Sequence, residues 1–318
     1  MRGYHSSVLL KEAVDALNPA PDGAGRDAWY IDCTLGDGGH TIEIIKRGGK
    51  VVGIDVDPQA LGRVQKRFEE EGIYKDKYRL IEGNFRDLKN LVKQMDFSNQ
   101  RFAGAIFDLG VSSWQLETPQ RGFSFSKEGP LDMRMDPALQ VRALDLINVL
   151  SRKELNELFS KLGEEKRSRA LADALVSARE VRQVTGDSGP PKGRGTGIKT
   201  TKDLTEFVER VVGGRHGKIH PATKVFQALR IAVNDELNAL QEGLDQVLDL
   251  IEENSSLVVI SFHSLEDRIA KFTFRQWQVE GLGRVLTKKP ITPSEQEIRE
   301  NSRSRSAKMR IFEKGDSL

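Results

Sequence analysis

Residues 30–45 read YIDCTLGDGGHTIEII: a short apolar run ends at Asp32, a glycine-rich turn follows, and helical spacing begins after it. Strand, turn and helix in that order open a βα unit, and glycines in the turn leave backbone bare for a ligand. The alternation repeats downstream. Residues 50–57 (KVVGIDVD) precede the helix-like 58–72, residues 78–84 (YRLIEGN) precede 85–95, and 102–110 (FAGAIFDLG) close the series. Apolar strands separated by helices of this length predict a doubly wound, mostly parallel α/β sheet with its ligand at the strand ends.

The rhythm changes after Gly110. Residues 111–137 (VSSWQLETPQRGFSFSKEGPLDMRMDP) are rich in turn formers and read as a long ordered loop. Helices are expected over 151–163, where Ser151 and Glu154 stand at capping-box spacing, and over 164–182 and 202–212. Between the last two lies a basic, Gly/Pro-rich stretch, 185–200. Apolar residues from Phe226 to Ile251 recur at steps of three and four and predict one continuous helix. Residues 255–277 return to strand and then helix, with Ser264 and Asp267 as the expected cap. The expected architecture is a sheet domain of residues 1–113 and 216–318 interrupted by a mostly helical insertion, 114–215.

Composition narrows the function classes. The 318 residues are 30% charged and 38% hydrophobic, enough for a large core. A formal net charge of +2 excludes a polycation, so nucleic-acid binding must come from local basic patches. The one cysteine, Cys33, excludes an intramolecular disulfide. No apolar run is long enough to span a bilayer and the first residues lack a cleavage pattern, so a cytoplasmic protein with no membrane partner is expected.

The turn reads Gly36-Asp37-Gly38-Gly39-His40-Thr41. A dinucleotide fingerprint wants glycine at the sixth position, and a phosphate loop wants Gly-Lys-Ser/Thr; neither fits. Asp55 ends the second strand, where a carboxylate can accept both ribose hydroxyls. Asn84 and Phe85 end the third, and the aromatic can cover an adenine face or belong to the core. Asp108 ends the fourth. Asp55 or Asp57 can instead cap the helix starting at Pro58. Together these strand ends suit S-adenosylmethionine, an adenosine ligand without a pyrophosphate.

The strings DCTLGDGGH (32–40), GIDVDP (53–58), GNFRDL (83–88), DLGVSSWQL (108–116), RGFSFSKEGPLDMRMDP (121–137), KIHPATKVFQALRIAVNDEL (218–237) and VISFHSLEDR (259–268) run in order along the chain. With LTKKPITPSEQEIRENSRSRSAKMR (286–310) they resemble the bacterial 16S rRNA (cytosine-N4)-methyltransferase family, ribosomal small subunit methyltransferase H, over nearly the whole length. The resemblance implies a Rossmann-like methyltransferase sheet with a helical substrate-recognition insertion. It also implies methyl transfer from S-adenosylmethionine to N4 of a cytidine in the decoding region of 16S rRNA, within the small ribosomal subunit. Cofactor contacts then fall on Gly38, Gly39, His40, Asp55, Phe85, Asp108 and Gln115. Asp37 interrupts the family's usual glycine run, and the 185–200 stretch is longer than its pattern.

Cytosine N4 is a weak nucleophile because its lone pair is delocalised into the ring, so the reaction needs an acceptor for an N4 proton and in-line alignment. Asp108 is the polar group expected nearest the methyl; Ser112, Ser113, Asp132 and His263 are further candidate acceptors. His263 reads equally well as a buried histidine bonding backbone. The Pro-Pro-aromatic scaffold of many amino-group methyltransferases is missing after Asp108. Trp114, Phe123 and Phe125 can stack on the extracted base or form a small core under the loop. Arg121 and Arg134 are candidate phosphate or carboxylate partners. Residues 166–169 (KRSR) and Arg303, Arg305 and Lys308 are basic clusters suited to RNA backbone, a solvated helix face being the alternative for the first. His216 and His220 lack a third ligand, and no metal is expected. A homodimer is compatible with these features. Other readings are a methyltransferase acting on DNA or a small molecule, a non-catalytic RNA-binding assembly factor, and, weakest, an NAD oxidoreductase.

Overall fold

The computed structural model describes residues 7–19, 27–95, 97, 100–184, 196–213 and 220–315. The chain divides into two units, residues 1–110 with 237–318 and residues 111–236. The first holds a seven-stranded sheet: β1 Trp29–Asp32, β2 Lys50–Asp55, β3 Tyr78–Glu82, β4 Phe102–Asp108, β5 Ile251–Ser261, β6 Gly283–Val285 and β7 Lys308–Lys314. Their order is β3-β2-β1-β4-β5-β7-β6. The first five strands are parallel, and β7 runs antiparallel between β5 and β6. The sheet is doubly wound as the alternation predicts. Its strand order reverses between β1 and β4, where such sheets open a ligand crevice at the carboxyl ends.

Neighbouring residues of a strand face opposite sides of the sheet. Ile31, Val52, Ile54 and Phe107 accordingly join one core with Leu244, Val247 and Phe274. Tyr30, Val51 and Ile106 join another with Val14, Leu17 and Val258. Burial on both faces is why these strands read as continuous apolar runs.

The helix expected over 226–251 is two helices, Ala222–Asn234 and Glu236–Leu250, separated by Asp235 at φ 50. The break has a packing cause. The first helix buries Val225, Phe226, Ala228, Leu229 and Val233 in the core of the 111–236 unit. The second buries Leu240, Leu244 and Val247 against the sheet. The left-handed Asp235 separates the helix of one unit from that of the other, and the sheet unit resumes at residue 237.

The antiparallel pairing of β7 with β5 and β6 is a second departure. Residues 303–310 are not a uniform basic surface, because β7 buries Met309, Arg310, Ile311 and Phe312. Arg310 pairs with Asp267 at 2.6 Å. Asp267 is therefore not the expected cap. His263 caps the Ser264–Val279 helix in a reciprocal box with Glu266. Ser151 and Glu154 do form their box. Residues 185–195 lie outside the described residues; Thr196–Thr200 belong to the second unit, with Ile198 in its core and Thr200 capping Thr201–Val212. Among the described residues no helix is long and apolar enough to cross a membrane.

Candidate functional site

The site is built at the carboxyl ends of β1, β2 and β4. Asp32, nearly wholly buried, accepts the Thr34 N–H at 3.2 Å and the Thr41 hydroxyl at 2.7 Å, tying both ends of the glycine turn to β1. Burial raises its pKa to about 6 against these two bonds. Gly36 and Gly38 take left-handed φ values of 54 and 75, open to glycine without strain. A Cβ on Gly36 would meet, among the described residues, only the Thr34 carbonyl at 3.8 Å. A Cβ on Gly38 would press on Phe68 and Val64 at 3.1 Å, and one on Gly39 would sit 2.0 Å from the Ser7 hydroxyl. Gly36 thus borders open room, whereas Gly38 and Gly39 are required by packing. Asp37 anchors the turn to the Pro58–Glu70 helix, its carboxylate 3.3 Å from Arg63 Nε and its carbonyl accepting from Arg67 at 2.7 Å.

The two aspartates after β2 divide the roles left open by the sequence. Asp57 caps the Pro58–Glu70 helix by accepting the Gln59 N–H at 3.1 Å. Asp55 accepts the N–H groups of Gly36 and Asp57, both at 2.9 Å, one on each oxygen. Each oxygen keeps a lone pair for a further donor. Burial lifts Asp55 to about 6, partly offset by these two bonds.

Backbone pairing of β1 with β4 ends at Asp32 opposite Ile106. Beyond it the Thr34 hydroxyl stands in for a strand partner, accepting the Asp108 N–H at 2.6 Å. Asp108 Oδ2 lies 3.6 Å from His40 Nδ1, and its Oδ1 is buried with no hydrogen-bond partner among the described residues. His40 Nε2 lies 3.2 Å from the Val8 carbonyl, which can only accept, so Nε2 carries the hydrogen. Burial lowers the His40 pKa to about 4, leaving Nδ1 a bare acceptor at neutral pH. Burial, then the charges of Asp32 and Glu266, hold Asp108 well above the usual carboxylate range. Burial therefore works against charge on both members of the pair.

Phe85 follows Asn84, which caps a short turn by accepting the Arg86 N–H at 3.0 Å. Its half-buried ring meets Phe107 edge-on at 5.3 Å, so it is partly core. His263 is buried in its own cap, Nε2 3.1 Å from Glu266 Oε1, while Glu266 Oε2 accepts the N–H groups of Phe262 and His263. The ring's Nδ1 accepts the Glu266 N–H at 3.4 Å, a backbone-bonding role, while its buried Nε2 makes no hydrogen bond among the described residues. Asp32, Thr34, Thr41 and Glu266 were not singled out as site residues by sequence. Their spacing of 2, 9 and more than 200 residues carries no local pattern.

Within the 111–236 unit, Ser112 caps the Ser113–Glu117 helix. Its hydroxyl accepts the Gln115 N–H at 3.2 Å, and Gln115 Oε1 accepts the Ser112 N–H at 3.0 Å. Ser113, half-buried, starts that helix. Asp132 is not a free proton acceptor: both its oxygens bond Arg134, at 2.7 and 2.8 Å. Burial works to raise its pKa, but the guanidinium outweighs this and holds it low. Arg134 also donates to the carbonyls of Pro137 and Leu139, and Arg121 to those of Arg134 and Met135. Through these carbonyls both arginines brace the loop. Arg121 lies over half-buried Trp114 at 5.6 Å and over Phe123 at 6.0 Å. Phe123 is buried, and Phe125 stacks on His220 at 4.9 Å and meets Phe226 edge-on, so these two form the small core under the loop. His220 Nε2 is 2.9 Å from Glu209, and His216 lies outside the described residues.

Of the basic clusters, Arg303 and Arg305 are exposed on the Ser302–Ser306 turn, and Lys166, Arg167 and Arg169 are exposed in the other unit. Lys308 is half-buried, 3.5 Å from Asp267, so it belongs with the Arg310 pair more than with an RNA face.

The family model described as the MraW methylase family matches residues 2–315. A Ribosomal RNA small subunit methyltransferase H from Coprothermobacter proteolyticus is 41% identical over 98% of this chain and 96% of its own length. One of the same name from Persephonella marina is 42% identical over 96% of this chain and 98% of its own. Among solved structures, an rRNA methylase from Streptococcus thermophilus aligns over 92% of this chain and 89% of its own at 14% identity, with a TM-score of 0.39.

Proposed function

The chain belongs to the MraW methylase family, and on that premise we propose that it methylates N4 of a cytidine in the decoding region of 16S rRNA, using S-adenosylmethionine, in the cytoplasm. The observation that carries this reading is the reversal of strand order between β1 and β4, where a glycine turn, Asp55 and an Asp108 whose Oδ1 has no partner among the described residues share one edge of the sheet. S-adenosylmethionine, when bound, supplies a methyl group on a cationic sulfonium. The residues fit such a group. Asp55 has lone pairs left for two ribose hydroxyls, a Cβ on Gly36 would meet only one ordinary contact among the described residues, Phe85 offers an aromatic wall, and Asp108 Oδ1 has no partner among the described residues. We assign the Gly38–Gly39–His40 turn and Asp108 to the amino-acid and sulfonium end. Gln115 keeps its family-implied cofactor role through a side chain whose oxygen is taken by Ser112.

Asp108 is the proton acceptor of choice. A cation beside it lowers its proton affinity, so a bound sulfonium would favour the ionised Asp108 carboxylate against the upward push of burial. With that methyl group held in line with N4, the Asp108 carboxylate would take the N4 proton. Ser112 and Ser113 remain hydrogen-bonding groups for the base, Trp114 its stacking partner, and Arg303 and Arg305 contacts for RNA phosphates, with the insertion as the substrate-recognition domain.

The test is nucleoside mass analysis of small subunits that lack the modification, after incubation with the protein and labelled cofactor. Labelled N4-methylcytidine is the expected product. Cofactor binding with no labelled nucleoside would overturn the substrate assignment in favour of another substrate or an assembly role.

A further inference from the structure

A single peptide plane joins the C-terminal segment to the acid at the tip of β4. The N–H of Leu9 donates to Glu297 Oε1 at 2.8 Å. The carbonyl of the same peptide, that of Val8, accepts from His40 Nε2 at 3.2 Å. Across the imidazole, Nδ1 faces Asp108 Oδ2 at 3.6 Å. Four stretches of chain far apart in sequence therefore meet in one line: residues 8–9, 40, 108 and 297.

The peptide is not held by its own helix. Leu9 stands before the Leu10–Leu17 helix at φ 51, with no side-chain cap, and its side chain is fully buried. A leucine in the left-handed region is costly and persists only when its surroundings impose it. Glu297 is what the N–H meets. It projects from the Glu295–Glu300 helix, which Ser294 caps by accepting the Glu297 N–H at 3.1 Å. A carboxylate on the N–H side of an amide also polarises it and strengthens its carbonyl as an acceptor.

We infer that Glu297 is a positioning residue for the site: by fixing the Val8–Leu9 peptide it selects the Nε2–H tautomer and ring plane of His40, and so the direction in which Asp108 presents its unpartnered oxygen. The inference rests on the methyltransferase reading of this sheet edge. It predicts an effect on chemistry from a residue that touches neither His40 nor Asp108. Loss of the carboxylate releases the peptide, the imidazole is free to take the other tautomer, and Asp108 loses its fixed neighbour.

The test uses the full chain with nitrogen-15 histidine, the His40 ring signals being identified by their absence in His40→Asn. Wild type and Glu297→Gln, whose amide oxygen still accepts the Leu9 N–H, are expected to show the Nε2–H tautomer. Glu297→Ala is expected to show mixed tautomers and about a tenfold lower kcat/KM on small subunits, the loss of one hydrogen bond of roughly 1.4 kcal/mol. Glu297→Asp, whose carboxylate is one methylene short, gives the same readout should the alanine variant fail to fold. Ser294→Ala weakens the same helix without touching the Glu297 carboxylate, and is expected to lower Tm while leaving tautomer and kcat/KM as in wild type. Folded Glu297→Ala and Glu297→Asp variants with wild-type His40 signals would overturn the inference, and so would a Ser294→Ala variant that reproduced the loss of activity. Because the tautomer is read without substrate, these outcomes stand apart from failure of the function: a wild-type protein that methylates nothing would sink the rRNA reading, and the His40 signals would still decide the role of Glu297.

Discussion

The sheet edge around Asp55 and Asp108 and the loop of residues 111–140 are both rich in charged and aromatic residues, yet they handle polar groups in opposite ways. At the sheet edge, polar capacity is left over: Asp108 Oδ1 has no partner among the described residues, and both Asp55 oxygens hold one backbone N–H each. In the loop, capacity is closed. Asp132 and Arg134 satisfy each other, Arg134 and Arg121 bond four carbonyls between them, and Phe123 and Phe125 pack inward. A buried polar atom left unsatisfied costs free energy unless a ligand completes it, whereas a long loop needs internal bonds to be ordered at all. Charged residues in a loop therefore point to a site only when their partners have been counted.

Three measurements press on this contrast. The largest effect is expected at Asp108. Asn mimics the neutral acid in shape and cannot ionise, so Asp108→Asn should fold as wild type and lose roughly 10²–10⁴ in turnover at saturating cofactor, the range for a positioned general base. Turnover within twofold of wild type would remove Asp108 from the chemistry and place the acceptor elsewhere. Next is Arg134. Arg134→Ala strips Asp132 of its partner in a partly exposed pair and should lower the stability of the protein by roughly 1–3 kcal/mol with cofactor affinity unchanged. A variant with wild-type Tm and weakened RNA binding would restore the phosphate-contact reading.

The smallest effect concerns pH. Asp55 has its pKa raised from 3.8 to about 6 by burial. For the free fold this contribution is fully present below the unfolded value and is lost as pH rises through about 6. Cofactor binding has the opposite sign, because ribose hydroxyls donate to the ionised carboxylate. Affinity should be flat above about 6 and weaken below it by up to about tenfold per pH unit. Asp55→Asn should flatten the profile in calorimetric titrations; an unchanged profile in that variant would assign the dependence to another group, Asp32 being the nearest in pKa.

Much of the sheet unit was legible because its signals are local. A strand shows as an apolar run, a βα turn as glycines, and a strand-end acid as the residue closing the run; β1 to β4 and the helices between them follow from those three signs. The helix break at Asp235 was hidden because a period-3.6 stripe records that a residue is buried, not in which core. Asp267 looked like a cap by spacing, and its true partner, Arg310, stands 43 residues away on β7. The same reason hid the contacts of Arg121 and Arg134: nothing local distinguishes an arginine that meets solvent from one that meets two carbonyls.

By itself, then, the sequence determined the family, the doubly wound sheet and the residues that close its first four strands, because each is encoded in residues next to one another along the chain. Only the tertiary structure decided which polar groups stay available there. The Thr34 hydroxyl under Asp108, the imidazole of His40 between Val8 and Asp108, and the Glu297 carboxylate on Leu9 are contacts between segments up to 288 residues apart. Such contacts arise from how the elements pack, and hydrogen-bond satisfaction is a property of the packed chain.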